Sequence, residues 1–301
     1  MRHLSLLVRM AQGESLTRVA ESLGISQPAA TKALGEIEDV FNAPLFVRTA
    51  RGLRPTALGE LAIVRARHML QDIDHWALEM DAVRAGHTAR LNVGAIPFIT
   101  ARLLVPTIAR LHERHRITVT LHRATTDLLL ESLRGHALDC VIGRASVVSG
   151  MEELRQEVLY PQRPALIAHP QMAQRMARKP PVWRELASMN WILPTRATPI
   201  GHMVSELFTR AGEQPPVAVA ETYSMDVIAG MMAADPSLVS IVPEEIAADL
   251  ARIGTVAVVP WTFDWVLPPI SLIRRRRAAP LRAEDLFAET LREVCTEMAA
   301  G

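Results

Sequence analysis

Residues able to read a base pair stand close together in "GISQPAATKALGEIE", positions 24 to 38. Gln27 can pair with adenine, Lys32 can donate to guanine, and the Pro28 ring or the Thr31 methyl can touch a thymine methyl. They act together only if one element carries them on one face. Proline is tolerated in the first turn of a helix, where the N–H groups are unpaired anyway. Ser26, just before, is a suitable N-cap. The spacing predicts a helix over 27–42 that turns Ala30, Ala33, Leu34 and Ile37 inward and leaves Gln27, Thr31 and Lys32 outward near its start. Gly35 in that helix costs up to ~1 kcal/mol relative to Ala, and close packing is the only account the sequence offers for it.

A second group of chemistry-bearing residues follows in "PLFVRTARGLRPT", 44 to 56. Extended residues flank an Arg-Gly turn, which reads as a hairpin-like wing. Arg48, Arg51 and Arg54 recur there at three-residue intervals, suited to the phosphates beside a groove. The positive charge is local. Between 44 and 67 there are five Lys/Arg against one Asp/Glu, whereas the whole chain carries only +1. Upstream, helices are predicted over 2–12 and 16–23, the second capped by Ser15 and ended by Gly24, with Ala20 small enough for a helix crossing. Helix 16–23, the turn and helix 27–42 make a helix-turn-helix, whose second helix enters the major groove. Plain helical bundles contain the same shape.

Thr56 opens the longest helical pattern, with apolar residues at Leu58, Ala62, Ala66, Met69, Ile73, Trp76, Met80 and Val83. From 66 onward the steps are those of a heptad. About 30 residues at 1.5 Å each give a rod of roughly 45 Å. Its stripe needs a partner. Met69, Ile73, Trp76, Met80 and Val83 are read as a dimerisation seam, the alternative being a core helix of one domain.

Beyond "GHTARL" short β-branched runs such as "LNVGAI", "ITVTLHR", "LDCVIG", "ALIAH", "WILPT", "VAVAET", "LVSIV", "VAVVPW" and "PISLIRR" alternate with amphipathic helices, ending in one over about 282–299. This alternation predicts α/β structure with largely parallel sheets, long enough for two small lobes. The chain has 301 residues, 49% of them hydrophobic and 22% charged, the balance of a globular protein. Two cysteines, Cys140 and Cys295, make neither a disulfide framework nor a metal cluster, so a reducing, cytoplasmic setting is expected. No stretch reads as a signal peptide or a membrane span.

The run "SLTRVAESLGISQPAATKALGEIEDVFNAPLFVRTARGLRPTALGE" resembles the amino-terminal signature of LysR-type transcriptional regulators, and the likeness extends through the long helix to the end of the chain. Thr31 stands where serine is commoner, which keeps the hydroxyl. The resemblance implies a winged helix-turn-helix over 1–57 and a linker helix over 58–87 that dimerises antiparallel. It also implies a two-lobed, periplasmic-binding-protein-like α/β effector domain over 88–301 (lobe I 88–161 and 267–301, lobe II 162–266). It further implies a homodimer that pairs into a tetramer on an interrupted palindromic double-stranded operator, and control of transcription by RNA polymerase. Its expected ligand is a small-molecule inducer, with no cofactor, no metal and no catalysis.

Ligands in open α/β sheets lie beyond the carboxyl ends of strands. That rule and the resemblance select Phe98, Ile99, Thr100, Thr126 and Arg144 on one side, and Thr195, Arg196, Thr198, Pro199, His202, Tyr223 and Ser224 on the other. Arg144 and Arg196, with helix amino ends, favour a carboxylate. Either arginine can instead make an interlobe salt bridge or face solvent, and the hydroxyls suit a neutral sugar equally well. DNA contacts are expected from Ser26, Gln27, Pro28, Thr31, Lys32, Arg48, Arg51 and Arg54. The run "RRRR", 274–277, has the look of a nucleic-acid patch but is read as a solvated strand edge, and Cys140 as a small core residue. An enzyme fused to a DNA-binding module finds no support, since no G-x-S-x-G, P-loop or G-x-G-x-x-G is present. An architectural DNA-binding protein remains a third reading, one that leaves the α/β region with no ligand.

Overall fold

The computed structural model describes residues 1–12, 15–49, 52–84, 87–144, 153–195, 198–263, 266–277 and 281–300. Arg51 and Arg196 lie outside the described residues, as do the side chains of Arg48, Val83 and Pro199. The chain forms two compact units: Met1–His87 with Arg134–Ala137, and Thr88–Leu133 with Leu138–Gly301.

The first unit holds α1 (Arg2–Met10), α2 (Leu16–Ser22), α3 (Gln27–Phe41), a hairpin of β1 (Phe46–Thr49) and β2 (Gly52–Pro55), and α4 (Ala57–Arg84). Both inner helices start at a capping serine: Ser15 accepts the Arg18 N–H at 3.3 Å and Ser26 that of Ala29 at 3.4 Å. Gly24 takes φ +65° between them, a conformation favouring glycine. Leu6, Leu7, Val19, Ala20, Ala30, Leu34 and Ile37 close the core, each larger aliphatic chain contributing about 1.5–3 kcal/mol. The wing is tied to α3 by Glu38, whose carboxylate accepts the N–H groups of Leu45 at 2.7 Å and Phe46 at 3.2 Å.

Two expectations change here. Ala62 and Ala66 belong to the helix-turn-helix core together with Ile63 rather than to a free stripe. The start of α4 packs on α1, so its small residues serve that crossing. Leu61, Val64, Met69, Trp76 and Met80 are exposed, and Ile73 is half-buried. A Cβ on Gly35 meets no atom within 4 Å, so close packing does not explain that glycine.

The second unit contains two five-stranded sheets. The first, in the order β4-β3-β5-β12-β6, is made by β3 (Ala89–Ala95), β4 (Ile117–Arg123), β5 (Cys140–Arg144), β6 (Leu154–Gln162) and β12 (Leu267–Arg275). The second, in the order β11-β7-β10-β8-β9, is made by β7 (Pro164–Ala168), β8 (Asn190–Leu193), β9 (Ala218–Glu221), β10 (Leu238–Pro243) and β11 (Ala257–Val258). Helices α5 (Ala101–His115), α6 (Thr126–Arg134) and α12 (Arg282–Ala300) accompany the first sheet. Helices α7 (Pro170–Arg178), α8 (Trp183–Ala187), α9 (Pro199–Arg210), α10 (Met225–Ala234) and α11 (Glu244–Arg252) accompany the second. The chain crosses between sheets twice, at Arg163 and again between β11 and β12.

These crossings correct the expectation of largely parallel sheets. Strands β3, β4 and β5 pair parallel, as do β8, β9 and β10, but β12 runs antiparallel to β5 and β6, and β7 antiparallel to β10 and β11. A strand arriving from the other sheet is not bound by the helical crossover that makes neighbours parallel. Strand β6 has no counterpart among the expected runs, because its "LRQEVLYPQ" is an edge with mostly half-exposed or exposed residues.

The first half of the arginine run differs from its reading as a solvated edge. Arg274 is buried and pairs with Asp285 at 2.9 Å, while Arg275 donates to the carbonyls of Leu133 and Leu138 at 2.7 and 2.6 Å. Arg275 also lies 3.7 Å from the buried Asp139, Arg276 donates to the Leu154 carbonyl at 2.9 Å, and Arg277 pairs with buried Glu284 at 3.3 Å. Unpaired carbonyls and carboxylates in the interior demand such donors. Arg274 and Arg275 form an internal clamp, and Arg276 and Arg277 remain exposed at the strand end.

Candidate nucleic-acid interface and interlobe cleft

Gln27, Pro28, Thr31 and Lys32 are exposed at the start of α3, while Ser26 spends its hydroxyl on the cap. The Thr31 hydroxyl donates to the Gln27 carbonyl at 3.0 Å. Lys32 stands 3.7 Å from Glu36, whose other oxygen meets His3 at 3.1 Å. Such solvent-exposed pairs are worth little and yield readily to a phosphate or base. Arg54 is exposed on β2, opposite Val47 in the hairpin. The element that presents one charge to a groove therefore also presents Glu36, a partner the sequence reading did not weigh.

In the second unit the structure separates residues that the strand-end rule had grouped. Consecutive residues of a strand point to opposite faces. A Cβ on Gly143 lies 3.5 Å from the Thr126 hydroxyl, so Arg144 projects to the other side of the sheet from Thr126. Arg144 is buried, and one of its terminal N–H groups donates to Gln162. The Gln162 amide then donates to Glu245 at the start of α11, 3.1 Å away. Arg144 is thus joined to the second lobe through an amide rather than by a direct salt bridge. Its Nε–H and the Tyr160 hydroxyl have no hydrogen-bond partner among the described residues. Burial lowers the Arg144 pKa to about 10, and burial also raises those of Tyr160 and Glu245.

The "PFIT" segment is similarly engaged. Phe98 packs in the core of the second lobe, and Ile99 in that of the first. Thr100 caps α5, accepting the Arg102 N–H at 3.2 Å, and donates to Asp249 of α11 at 2.6 Å. Arg123 steadies this loop by donating to the Pro97 carbonyl at 2.6 Å. On the other side, Thr198 caps α9 and donates to the Thr195 carbonyl at 2.7 Å. Gly201 is required there, because a Cβ would come within 2.2 Å of that carbonyl oxygen. Ser224 caps α10, Tyr223 is 39% exposed, and His202 is exposed 3.6 Å from Glu206. Sequence reasoning missed Arg123, Tyr160, Gln162, Glu245 and Asp249. Only Arg123, ending a strand run, carried a local signal.

Cys140 is fully buried, which with neighbouring carboxylates raises its thiol pKa. No group of His, Cys, Asp and Glu able to hold a metal ion occurs among the described residues, and no helix there is long and apolar enough to cross a membrane.

Comparison with known proteins bears on both sites. Residues 1–60 match the family model described as "Bacterial regulatory helix-turn-helix protein, lysR family", and residues 84–296 match "LysR substrate binding domain". The chain is 31% identical over 279 residues to the HTH-type transcriptional regulator GbpR of Azospirillum brasilense, covering 90% of this chain and 80% of that one. It is 29% identical over 309 residues to the HTH-type transcriptional regulator PcaQ of Agrobacterium fabrum, covering 100% and 96%. Among solved structures, full-length CbnR complexed with its target DNA aligns with a TM-score of 0.65 at 23% identity, over 97% of this chain and 99% of that one. That likeness speaks to the fold.

Proposed function

The chain belongs to the LysR family of transcriptional regulators, with a DNA-binding helix-turn-helix and a ligand-binding domain, and from that premise we propose that it is switched by a small carboxylate held between the two lobes of residues 88–301. The observation that carries the carboxylate is Arg144, a buried guanidinium whose only hydrogen-bond partner among the described residues is an amide oxygen. A buried charge left without an opposite charge in contact is costly, and an incoming carboxylate supplies one. Thr195, Arg196, Thr198, Pro199, His202, Tyr223 and Ser224 would complete the proposed cleft and Phe98, Ile99 and Thr100 would shape its floor, while Thr126 stands on the other face of the sheet from Arg144.

Residues 1–57 would read an interrupted palindrome through Gln27, Pro28, Thr31 and Lys32, with Arg48, Arg51 and Arg54 on phosphates. Helix residues 58–87 would pair two chains through Met69, Ile73, Trp76, Met80 and Val83, and two dimers would bind together and act on RNA polymerase in the cytoplasm. The exposure of Met69, Trp76 and Met80 supports a covered seam.

The test is the melting temperature of the full chain against aliphatic acids, aromatic acids and sugars. A ligand at 100 times its dissociation constant adds roughly 2.7 kcal/mol. A shift given by an acid and lost in Arg144→Gln is the expected result. A shift given only by sugars, or one that survives Arg144→Gln, overturns the carboxylate reading. On the DNA side, Lys32→Ala should relax base selectivity, and Arg54→Ala should weaken binding on all sequences and flatten its salt dependence. Equal losses on operator and random DNA for both variants would contradict that division.

A further inference from the structure

Away from Arg144, a pocket of about 370 Å³ is lined by Arg163, Pro164, Glu244, Trp261, Thr262, Phe263 and Val266. Its size falls within the range of small-molecule sites. Its lining comes from both places where the chain passes between the sheets: Arg163 and Pro164 at the first crossing, Trp261, Thr262, Phe263 and Val266 at the second. The two charged residues are tied by backbone, the Glu244 N–H donating to the Arg163 carbonyl at 2.9 Å. Their side chains nevertheless form no ion pair, with each other or with any described residue. Both are exposed. An exposed guanidinium and an exposed carboxylate thus line one pocket without neutralising one another. Trp261 and Phe263, packed against the core of the second lobe, and exposed Val266 line it as well, and the Trp261 indole N–H is buried with no hydrogen-bond partner among the described residues.

A plain carboxylate would answer Arg163 and leave Glu244 facing like charge. An amine would do the reverse. One small molecule satisfies both: a zwitterion with an apolar body. We propose that this hinge pocket binds a free α-amino acid with an apolar side chain, its carboxylate at Arg163 and the Trp261 N–H, its ammonium at Glu244, and its side chain against Trp261, Phe263 and Val266. The occupant touches both interlobe crossings, so it sets the stiffness of the hinge rather than filling the cleft. The site is independent of the carboxylate reading of Arg144.

The experiment uses the full chain with L-phenylalanine as probe, followed by saturation-transfer NMR and calorimetry. The expected result is saturable binding that falls about tenfold or more for N-acetyl-L-phenylalanine, which lacks the ammonium, and for L-phenylalanine amide, which lacks the carboxylate. Arg163→Gln should weaken L-phenylalanine but leave the amide unchanged, and Glu244→Gln should weaken L-phenylalanine but leave the N-acetyl compound unchanged. Both positions are exposed, so the variants keep the fold, and unchanged melting temperatures check this. Absence of saturable binding at ~10 mM overturns the proposal. So does binding indifferent to both substitutions, or binding abolished by Arg144→Gln, which would place the amino acid in the cleft.

Discussion

The two lobes of the second unit are built from similar sheets around apolar cores and differ in the polar groups buried beside those cores. Among the described residues, the buried polar and charged side chains of this unit lie almost entirely with the first sheet: Asn92, Thr100, Thr107, Asp139, Arg144, Gln162, Ser271, Arg274, Glu284 and Thr290, against Ser240 in the second. The second lobe instead stacks aromatics edge to face, Trp191 and Trp183 each on Phe208 at 5.7 and 5.3 Å, and Trp261 on Trp183 at 5.6 Å. Apolar packing is tolerant of ionic conditions, whereas a buried charge network fails when one member loses its partner. The lesson is that the first lobe adds a buried polar and charged network to its apolar core, whereas the second relies on apolar and aromatic packing.

That contrast can be broken by substitution. The largest effect is expected from Arg275→Ala, which strips Asp139 of a cation and two carbonyls of their donor. Removing one partner from a buried pair costs about 3–5 kcal/mol, to be read by urea unfolding. A loss under ~1 kcal/mol would mean the clamp is no more than a surface pair. A further Asp139→Asn should recover part of the loss, and no recovery would deny the coupling.

In the second lobe, Trp191→Phe removes the indole N–H donated to the Leu186 carbonyl at 2.8 Å and some volume. It should cost about 1–3 kcal/mol, equally at low and high salt. A loss that changes with salt would put electrostatics in the lobe from which this comparison excludes it.

A smaller effect concerns the junction. Burial raises the Glu245 carboxyl above its ordinary value of 4.5. The folded domain therefore holds that proton more tightly than the unfolded chain does, and stability falls as pH rises from about 4.5 through the raised value. Glu245→Gln should flatten that part of the melting profile between pH 4 and 7 (window set by the ordinary carboxylate range). A variant curve parallel to the wild type would show that the relay to Arg144 does not carry the effect. Least of all, Gly35→Ala, in a helix that uses neither device, should stabilise the first unit by at most ~1 kcal/mol, visible as a small rise in its melting temperature. A fall would reveal a contact that the space around Gly35 does not contain.

Much of this was legible in local sequence. Ser15 and Ser26 announced helix starts, Pro28 marked a first turn, and the alternation of β-branched runs with amphipathic helices located nine of the strands in the second unit, β6 being the exception. The helix-turn-helix core followed from spacing, because helical period and burial coincide there within a few residues. The fate of charged groups did not follow. Nothing local distinguishes Arg54, exposed on a hairpin, from Arg275, wrapped by carbonyls from α6 and the turn after it. Likewise Thr126, after β4, and Arg144, at the end of β5, both lie at carboxyl ends of strands but stand on opposite faces of the sheet, and Gln162 and Glu245 become neighbours only when α11 meets the first crossing.

Sequence by itself thus determined all but one of the elements in the second unit's sheets, the helix-turn-helix and the family, since these depend on propensity, capping and pattern within one segment. Tertiary structure alone decided which charges are paired, which are buried and which remain open to a ligand. Electrostatic energy depends on distance and on the exclusion of water, and both are set by residues far apart in the chain.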